Sequence, residues 1–407
     1  MPFFLRFKNT LLCFSLVLVA CAQKSKKQVS IEKTEELPTQ KAVVVGANRT
    51  AAYLPLLQNK TVALVANQTS TIFTASEHTH LVDSLRSLGI TIKSVFAPEH
   101  GFRGKADAGE LVKDGTDTQT GLPIVSLYGK NKKPKAEQLE GVDVVVFDIQ
   151  DVGVRFYTYI ATLQLVMEAC TEAKIPIVLL DRPNPNAHYV DGPTMQAEHS
   201  SFLGMQEIPL VYGMTIGEYA QMINDEGWLE NGLKADLTVI PLKHYTRDVP
   251  YSLPIRPSPN LPNDTAITLY PSLGLFEGTN INAGRGTALQ FQRYGASFLD
   301  STVFGFKYIP QPNFGSKYPK EEGKICYGED LSAHGGMDSV SLKWLIKAYQ
   351  NCTDKSRFFK TESFTKHAGT ERLQQQLEAG LSEAEIKATW QDDLEAFKKI
   401  RKKYLRY

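Results

Sequence analysis

Residues 144–180 decide the fold and read VVVFDIQDVGVRFYTYIATLQLVMEACTEAKIPIVLL. Apolar residues dominate 144–149 and again 177–180, and the apolar side chains of 157–174 recur at helical spacing. Strand, helix and strand in this order are typical of a βαβ unit, in which the two strands are parallel.

The same alternation continues on both sides of this unit. Apolar runs predict four more strands, at 62–66, 92–96, 124–127 and 237–240. Helical periodicity predicts two more helices, at 76–88 and 215–226. Continuous apolar strands between helices indicate a parallel sheet with both faces covered. The sequence therefore predicts an α/β fold.

Five prolines between positions 250 and 262 end this regular pattern. Because proline breaks both helices and strands, we place a domain boundary there, with one domain at 44–262 and a smaller one at 263–407. The smaller domain ends in predicted helices at 373–379 and 383–403.

Composition excludes several classes of protein. The 407 residues include 45 Lys+Arg and 44 Asp+Glu, and 42% are hydrophobic, which supplies a large core and excludes a disordered chain. Balanced charge argues against nucleic acid as a partner, since no basic excess is present to neutralise phosphates.

The first residues have the pattern of an export signal. Arg6 and Lys8 precede an apolar run that ends at Ala20 and is too short to span a membrane. The tetrapeptide 18–21, LVAC, is similar to a bacterial lipobox. We therefore expect a lipoprotein signal peptide at 1–20, lipidation of Cys21, a polar tether at 21–43, and a membrane-anchored protein in the cell envelope, on the periplasmic face.

Unusual polar, Gly and Pro residues follow four of the predicted strands. The runs begin at Asn67, Pro98, Asp148 and Asp181. In open α/β sheets ligands bind at the carboxyl ends of strands, so these runs predict a site there. A second group of loops, beyond the Pro-rich boundary, would form the opposite wall of a cleft. The side chains of both groups that we expect to bind a ligand are Asn67, His100, Arg103, Asp151, Arg155, Tyr157, Arg182, Asn184, Asn260, Asn280 and Arg285.

Motifs for other chemistries are missing from the sequence. It has no G-x-G-x-x-G, no Walker A motif, no H-E-x-x-H and no G-x-S-x-G, which disfavours nucleotide binding, zinc hydrolysis and serine catalysis. His78 and His80 would begin a helix and point apart, so we predict no metal site and no cofactor. Carboxylates, arginines and aromatic residues remain, as in carbohydrate-active enzymes.

Glu99, in a Gly-bounded loop, is the first candidate catalytic residue and would act as a general acid. An ion pair with Arg103 would also explain the presence of a carboxylate at this position. Asp148 and Glu277 are candidates for a second carboxylate, and each could instead serve the structure by accepting backbone N–H bonds. Arg155 and Arg182 at the ligand edge suggest an anionic substrate, because a guanidinium binds carboxylates bidentately.

Seven strings of this sequence resemble the bacterial exo-β-N-acetylmuramidases, a family long known as a domain of unknown function. They read ANQT (66–69), FAPEHG (96–101), FDIQDVG (147–153), RFYTY (155–159), DRPNP (181–185), LFEGTN (275–280) and GRGT (284–287). The resemblance implies a Rossmann-like N-terminal domain, a smaller C-terminal α/β domain and an active-site cleft between them.

The resemblance also implies hydrolysis of terminal β-linked N-acetylmuramic acid at the non-reducing ends of peptidoglycan glycans. The lactyl carboxylate of that sugar would be bound by Arg103, Arg155, Arg182 or Arg285. Glu99 would protonate the glycosidic oxygen, and Glu277 or Asp148 would stabilise the transition state or activate water; retention, inversion and participation of the N-acetyl group all stay open. The alternative is a non-catalytic envelope lipoprotein that binds muropeptides or other solutes.

Overall fold

The computed structural model describes residues 41–75, 77–104 and 114–407, and within them a seven-stranded sheet lies at the centre of the fold. The strands in chain order are β1 (Thr61–Ala66), β2 (Thr71–Phe73), β3 (His78–His80), β4 (Thr91–Ala97), β5 (Gly115–Thr116), β6 (Pro123–Ser126), β7 (Val144–Asp148), β8 (Ile177–Leu180), β9 (Asp191–Thr194), β10 (Pro209–Val211), β11 (Leu237–Ile240), β12 (Arg293–Ala296), β13 (Phe306–Tyr308) and β14 (Cys326–Asp330). The central sheet has the order β11-β8-β7-β1-β4-β6-β5, and only β5 is antiparallel to its neighbour. The six predicted strands are confirmed, and all belong to this sheet.

The chain builds the sheet outward from β1 in two directions. It adds β4 and β6 on one side of β1, and then crosses back to add β7, β8 and β11 on the other. This is the strand order of a doubly wound, Rossmann-like sheet, in which ligands bind beyond the carboxyl ends of strands near the point of reversal. The ends of β1, β4 and β7 therefore meet at one edge.

Alternate residues of β1 enter separate hydrophobic clusters on the two faces of the sheet. Ala63 and Val65 belong to the cluster that continues into the C-terminal part of the chain, whereas Val62 and Leu64 belong to the cluster on the other face. All four side chains are fully buried. Burial on both faces explains why these strands appear as continuous apolar runs.

Eleven α-helices lie within the described residues, and most of those predicted are present. They are α1 (Thr50–Leu57), α2 (Leu81–Ser87), α3 (Ala136–Leu139), α4 (Tyr159–Glu172), α5 (Ile216–Asp225), α6 (Asp264–Leu273), α7 (Lys343–Gln350), α8 (Thr361–Ala368), α9 (Arg372–Glu378), α10 (Glu383–Ala388) and α11 (Gln391–Arg401). The single helix predicted over 383–403 is wrong, because Trp390 has non-helical backbone angles and separates α10 from α11.

The prediction that a helix begins at residue 76 is also wrong. His78–His80 forms β3, which pairs antiparallel with β2, and α2 begins at Leu81; Ser76 itself is outside the described residues. His80 caps α2, because its Nδ1 accepts from the N–H of Val82 at 3.3 Å while its Nε2 donates to the Asn67 carbonyl at 2.8 Å. Burial lowers the pKa of His80 to about 4, so the ring is neutral. In the described ranges no group of three or more His, Cys, Asp or Glu side chains is placed to hold a metal ion.

The C-terminal part is smaller and carries an antiparallel sheet of order β12-β14-β13, together with α6 to α11. Its apolar side chains continue the hydrophobic cluster on one face of the central sheet. Among residues 41–75, 77–104 and 114–407 no helix is both long and apolar enough to cross a membrane. The predicted signal peptide at 1–20 and Cys21 lie outside the described residues.

Candidate active site

A cavity of about 1070 Å³ opens at the carboxyl ends of β4 and β6 and faces loops of the C-terminal part. Six of the predicted site residues line it, from both walls: Glu99, His100, Tyr157, Asn260, Glu277 and Arg285. These six were separated by up to 186 positions in the sequence, so the fold brings both predicted walls together around one cavity.

Glu99 lies in a tight turn directly after β4. The N–H of Gly101 donates to the Pro98 carbonyl at 3.0 Å and closes the turn. His100 occupies the following position with φ of 68°, where glycine or asparagine is favoured and other residues are strained. Strained backbone of this kind is concentrated at functional sites, and the His100 side chain lines the cavity.

Two hydroxyl groups hold the Glu99 carboxylate. Thr158 Oγ1 donates to its Oε2 at 2.8 Å, and the Tyr128 hydroxyl is a second hydrogen-bond donor. Burial and the Glu99 charge raise the pKa of Tyr128 well above its usual value, so its hydroxyl keeps its proton. The Glu99 side chain therefore has a fixed direction and is partly accessible from the cavity.

Glu277 lies on the opposite wall, in a 3₁₀ turn over Gly274–Gly278 that continues α6. Arg285 approaches its carboxylate at 3.1 Å. Burial favours the neutral acid, but Arg285 and Lys320 outweigh it and hold the pKa of Glu277 at about 2. Glu277 is thus an ionised carboxylate throughout the neutral range.

Lys320 and His367 surround the Glu277 pair. Lys320 Nζ donates to the carbonyls of Phe276 at 2.9 Å and Glu277 at 3.1 Å, and burial lowers its pKa to about 8. His367 Nδ1 is 2.8 Å from the Ser363 carbonyl, which requires a hydrogen on that nitrogen. Burial lowers the pKa of His367 below its usual value, so a neutral ring faces this site.

Aromatic rings form an apolar part of the cavity wall. Tyr270 packs edge to face against Phe156 and Phe291, with centroid distances of 5.2 and 4.8 Å. The Tyr157 hydroxyl donates to the Pro257 carbonyl at 2.8 Å, which leaves the ring as its contribution to the wall. Such rings offer flat surfaces to a sugar and exclude water around it.

Two buried polar atoms at the cavity have no hydrogen-bond partner among the described residues. They are Oδ1 of Asn260, an acceptor, and Nε of Arg285, a donor. The Asn260 amide is otherwise fixed, since its Nδ2 donates to the Gly315 carbonyl at 2.7 Å. Both atoms are therefore able to pair with a polar group that enters the cavity.

Asp148 and Arg182, both predicted as site residues, lie outside the cavity and bind each other. Arg182 donates through Nε and Nη2 to the two carboxylate oxygens of Asp148 at 2.6 and 2.8 Å, and to the Thr71 carbonyl at 3.0 Å. Asp148 is 0% and Arg182 2% exposed. This fully buried pair fastens the ends of β7 and β8 and is not available to a substrate.

Arg155, also predicted to bind a ligand, is buried outside the cavity. Its guanidinium is buried and donates to four main-chain carbonyls at 2.7–3.0 Å, those of Pro193, Ile208, His367 and Ala368. It therefore ties the region after β7 to α8 and has no surface for an anion.

Arg103 and Asp151 also have structural partners outside the cavity. Arg103 binds Asp117 through two hydrogen bonds of 3.2 and 2.8 Å. Asp151 accepts from the N–H of Gly153 at 2.7 Å and from the Tyr212 hydroxyl, and burial raises its pKa to about 6. Neither side chain lines the cavity.

The three remaining asparagines stabilise loops. Asn67 Oδ1 accepts from the N–H and hydroxyl of Thr69, Asn184 Nδ2 donates to the Met214 carbonyl at 2.8 Å, and Asn280 Nδ2 donates to the Arg357 carbonyl at 2.7 Å. All three lie outside the cavity, apart from the predicted ligand-binding residues that line it.

Several residues that line the cavity are not among the predicted site residues, and the sequence contains a signal for two of them. Tyr128 and Lys132 follow β6, so their place after the carboxyl end of a strand is the signal that indicates them. The cavity also contains Tyr270, Lys320 and His367, which sit in helices or an unremarkable loop and carry no such signal.

Charge in the cavity favours an anionic ligand. Among the described residues, two carboxylates, Glu99 and Glu277, line it together with five cationic side chains. These are Lys132, Arg285, Lys317, Lys320 and Lys366. A cleft with excess positive charge attracts anions.

Comparison with known proteins identifies relatives over nearly the whole chain. The family model described as exo-β-N-acetylmuramidase NamZ, N-terminal, matches residues 62–265, and its C-terminal counterpart matches 268–407. The peptidoglycan β-N-acetylmuramidase NamZ of Bacillus subtilis strain 168 is 38% identical over 377 residues, which cover 87% of this chain and 89% of that protein.

Two solved structures from Bacteroides fragilis, both described as DUF1343 family proteins, share the fold. The first is 42% identical, with a TM-score of 0.81 over 90% of this chain and 99% of its own. The second, at 24% identity and a TM-score of 0.74 over the same shares, shows likeness of fold alone.

Proposed function

Because this chain belongs to the NamZ family of exo-β-N-acetylmuramidases, we propose that its cavity removes terminal β-linked N-acetylmuramic acid from the non-reducing ends of peptidoglycan glycans. The observation that carries the proposal is that Glu99 and Glu277 line one cavity in two different environments. A pair of carboxyl groups with separate roles is the usual requirement of glycoside hydrolysis.

Glu99 is the general acid in this proposal. It transfers its proton to the glycosidic oxygen as the bond between that oxygen and C1 breaks; when water adds its hydroxyl to C1, the proton that the water loses restores the acid form of Glu99. The carboxylate left on Glu99 is then held by the hydroxyls of Thr158 and Tyr128, which are already aimed at it.

Glu277 acts as a fixed negative charge. The transition state of glycoside hydrolysis resembles an oxocarbenium ion, and a pre-placed carboxylate stabilises the positive charge that develops there. Arg285 and Lys320 keep Glu277 ionised, so it does not compete with Glu99 for the role of acid.

A chromogenic β-N-acetylmuramide tests the proposal. A form of the protein that begins at Ala22 should release chromophore from the muramide, and at least about 10-fold more slowly from the matching β-N-acetylglucosaminide, because an interaction with one charged group is worth that much. No release from either sugar by folded protein would overturn it; binding of muramyl ligands without cleavage would then support the solute-binding alternative.

We further propose that residues 1–20 are removed as a signal peptide and that lipidated Cys21 anchors the chain in the cell envelope, on the periplasmic face. The basic start, the apolar run and the LVAC tetrapeptide support this. The Cys21→Ala variant should move from the membrane fraction to the soluble or unprocessed pool, with loss of labelling by a clickable fatty acid. The matched variant Cys13→Ala, in the same segment, should stay membrane-bound and labelled; equal labelling of all three proteins would contradict the proposal.

A further inference from the structure

One cavity cation has no acidic partner within the described residues. The ammonium of Lys132 lies 4.6 Å from the centre of the Phe202 ring, and no carboxylate of those residues is within ion-pair distance of it. An aromatic face attracts a cation but does not neutralise its charge. The next residue, Lys133, differs completely, since its ammonium binds Glu168, Glu172 and Glu230 at 2.8–3.5 Å.

The other cations of the cavity are already engaged. Arg285 pairs with Glu277, and Lys320 donates to two main-chain carbonyls. Lys366 binds Glu362 at 2.6 Å, and Lys317 also interacts with another group. An incoming anion would have to compete for these four, whereas Lys132 can accept it directly.

Lys132 shares a wall with the acid Glu99. A tight turn, closed by two hydrogen bonds of 2.9 Å between Ser201 and Gly204, presents Phe202 at its tip. The Phe202 ring is 6.4 Å from that of Tyr128, whose hydroxyl donates to Glu99. A series of contacts runs from Glu99 through Tyr128 and Phe202 to Lys132, so the acid and the cation line the same wall of the cavity.

We propose that Lys132 binds the lactyl carboxylate of the terminal N-acetylmuramic acid and thereby selects this sugar over N-acetylglucosamine. The inference rests on the proposed function. The two sugars differ only in the lactyl ether on O3, and C3 lies on the same ring as C1, whose oxygen receives the proton from Glu99. A cation on the Glu99 wall is therefore placed to read that substituent while the glycosidic oxygen meets the acid. Phe202 holds the ammonium in position and restricts its hydration, which strengthens an ion pair with the substrate.

The test compares two chromogenic β-N-acetylmuramides, one with a free lactyl carboxylate and one with that group converted to the primary amide. Lys132→Met should lower kcat/KM for the carboxylate substrate by about 10- to 100-fold, the contribution of a hydrogen bond between charged groups. It should change kcat/KM for the amide by less than about 3-fold, and Lys132→Arg should restore most of the activity on the carboxylate. Lys130→Met makes the same change of net charge at an exposed position outside the cavity and should leave both substrates unaffected.

Several outcomes separate this inference from the proposed function. Equal losses of kcat/KM on both substrates in Lys132→Met would show a structural role for Lys132. No loss on either substrate would show that another residue binds the lactyl carboxylate. Both results overturn the inference, whereas turnover by the wild type still upholds the proposed function. If the wild type cleaves neither substrate, the function fails. In that case calorimetry with free N-acetylmuramic acid tests the inference by itself. The inference predicts that Lys132→Met binds this sugar about 10-fold more weakly than the wild type.

Discussion

Replacing Glu99 by glutamine is expected to lower kcat/KM for the β-N-acetylmuramide by at least about 10²-fold, the usual contribution of a general acid. Glutamine has the same size and can still accept the hydrogen bond from Thr158, so the cavity keeps its shape. It has no proton to transfer to the leaving oxygen. The rate should therefore fall with little change in binding of the free sugar, measured by calorimetry beside the kinetics.

The dependence on leaving group distinguishes an acid from a merely structural carboxylate. An aryl leaving group that is already a weak base needs little protonation, so the loss caused by Glu99→Gln should shrink as the leaving group becomes more acidic. The wild type should show a weaker dependence on the same series. Glu322→Gln, at an exposed position outside the cavity, provides the control. A loss of constant size across the series would argue against Glu99 as the acid.

The fold could be predicted from sequence because its strands are buried on both faces. Val62–Ala66 and Val144–Phe147 contain apolar residues only, so these runs are clear in the sequence, and the order of the sheet follows from the family that the chain resembles. The region before α2 was predicted wrongly for a local reason. His78–His80 carries a helix-like pattern but pairs with β2, and tertiary pairing overrides a weak local preference.

The site was predicted in part, because sequence shows which residues follow a strand but not where their side chains point. Glu99 and Asp148 both come at carboxyl ends, in similar runs of polar residues. The turn after β4 aims Glu99 at the cavity, whereas Asp148 is still within β7 and meets Arg182 under the surface. A buried ion pair and a catalytic pair are built from the same residue types, and only their burial separates them.

The cavity cation Lys132 belongs to a short basic run of the sequence. The sequence gives four adjacent positions, 130–133, of which three are lysines, and such a run is most simply read as a solvated surface. In the structure Lys130 is exposed, Lys132 lines the cavity and Lys133 joins three glutamates. In one short loop after β6, lysines therefore face solvent, line the cavity and form structural ion pairs.

The Asp148–Arg182 pair leads to the largest expected effect on stability. Asp148→Ala should lower the free energy of unfolding by about 3–5 kcal/mol, because it leaves the Arg182 guanidinium buried without its counter-charge. Denaturant titration followed by tryptophan fluorescence measures the change. The exposed Asp248→Ala should stay within about 0.5 kcal/mol of the wild type.

The double variant Asp148→Leu/Arg182→Met separates the effect of the lost counter-charge from the effect of the lost side-chain volume. It removes both charges and keeps apolar volume, so it should recover much of the stability lost in Asp148→Ala, as expected when an isolated buried charge is the main cost. Because the pair lies outside the cavity, the double variant should also keep kcat/KM for the muramide within about 10-fold of the wild type at a temperature where it is folded. A stable Asp148→Ala protein without activity would contradict both statements, since it would place Asp148 in the chemistry instead of in the support of β7 and β8.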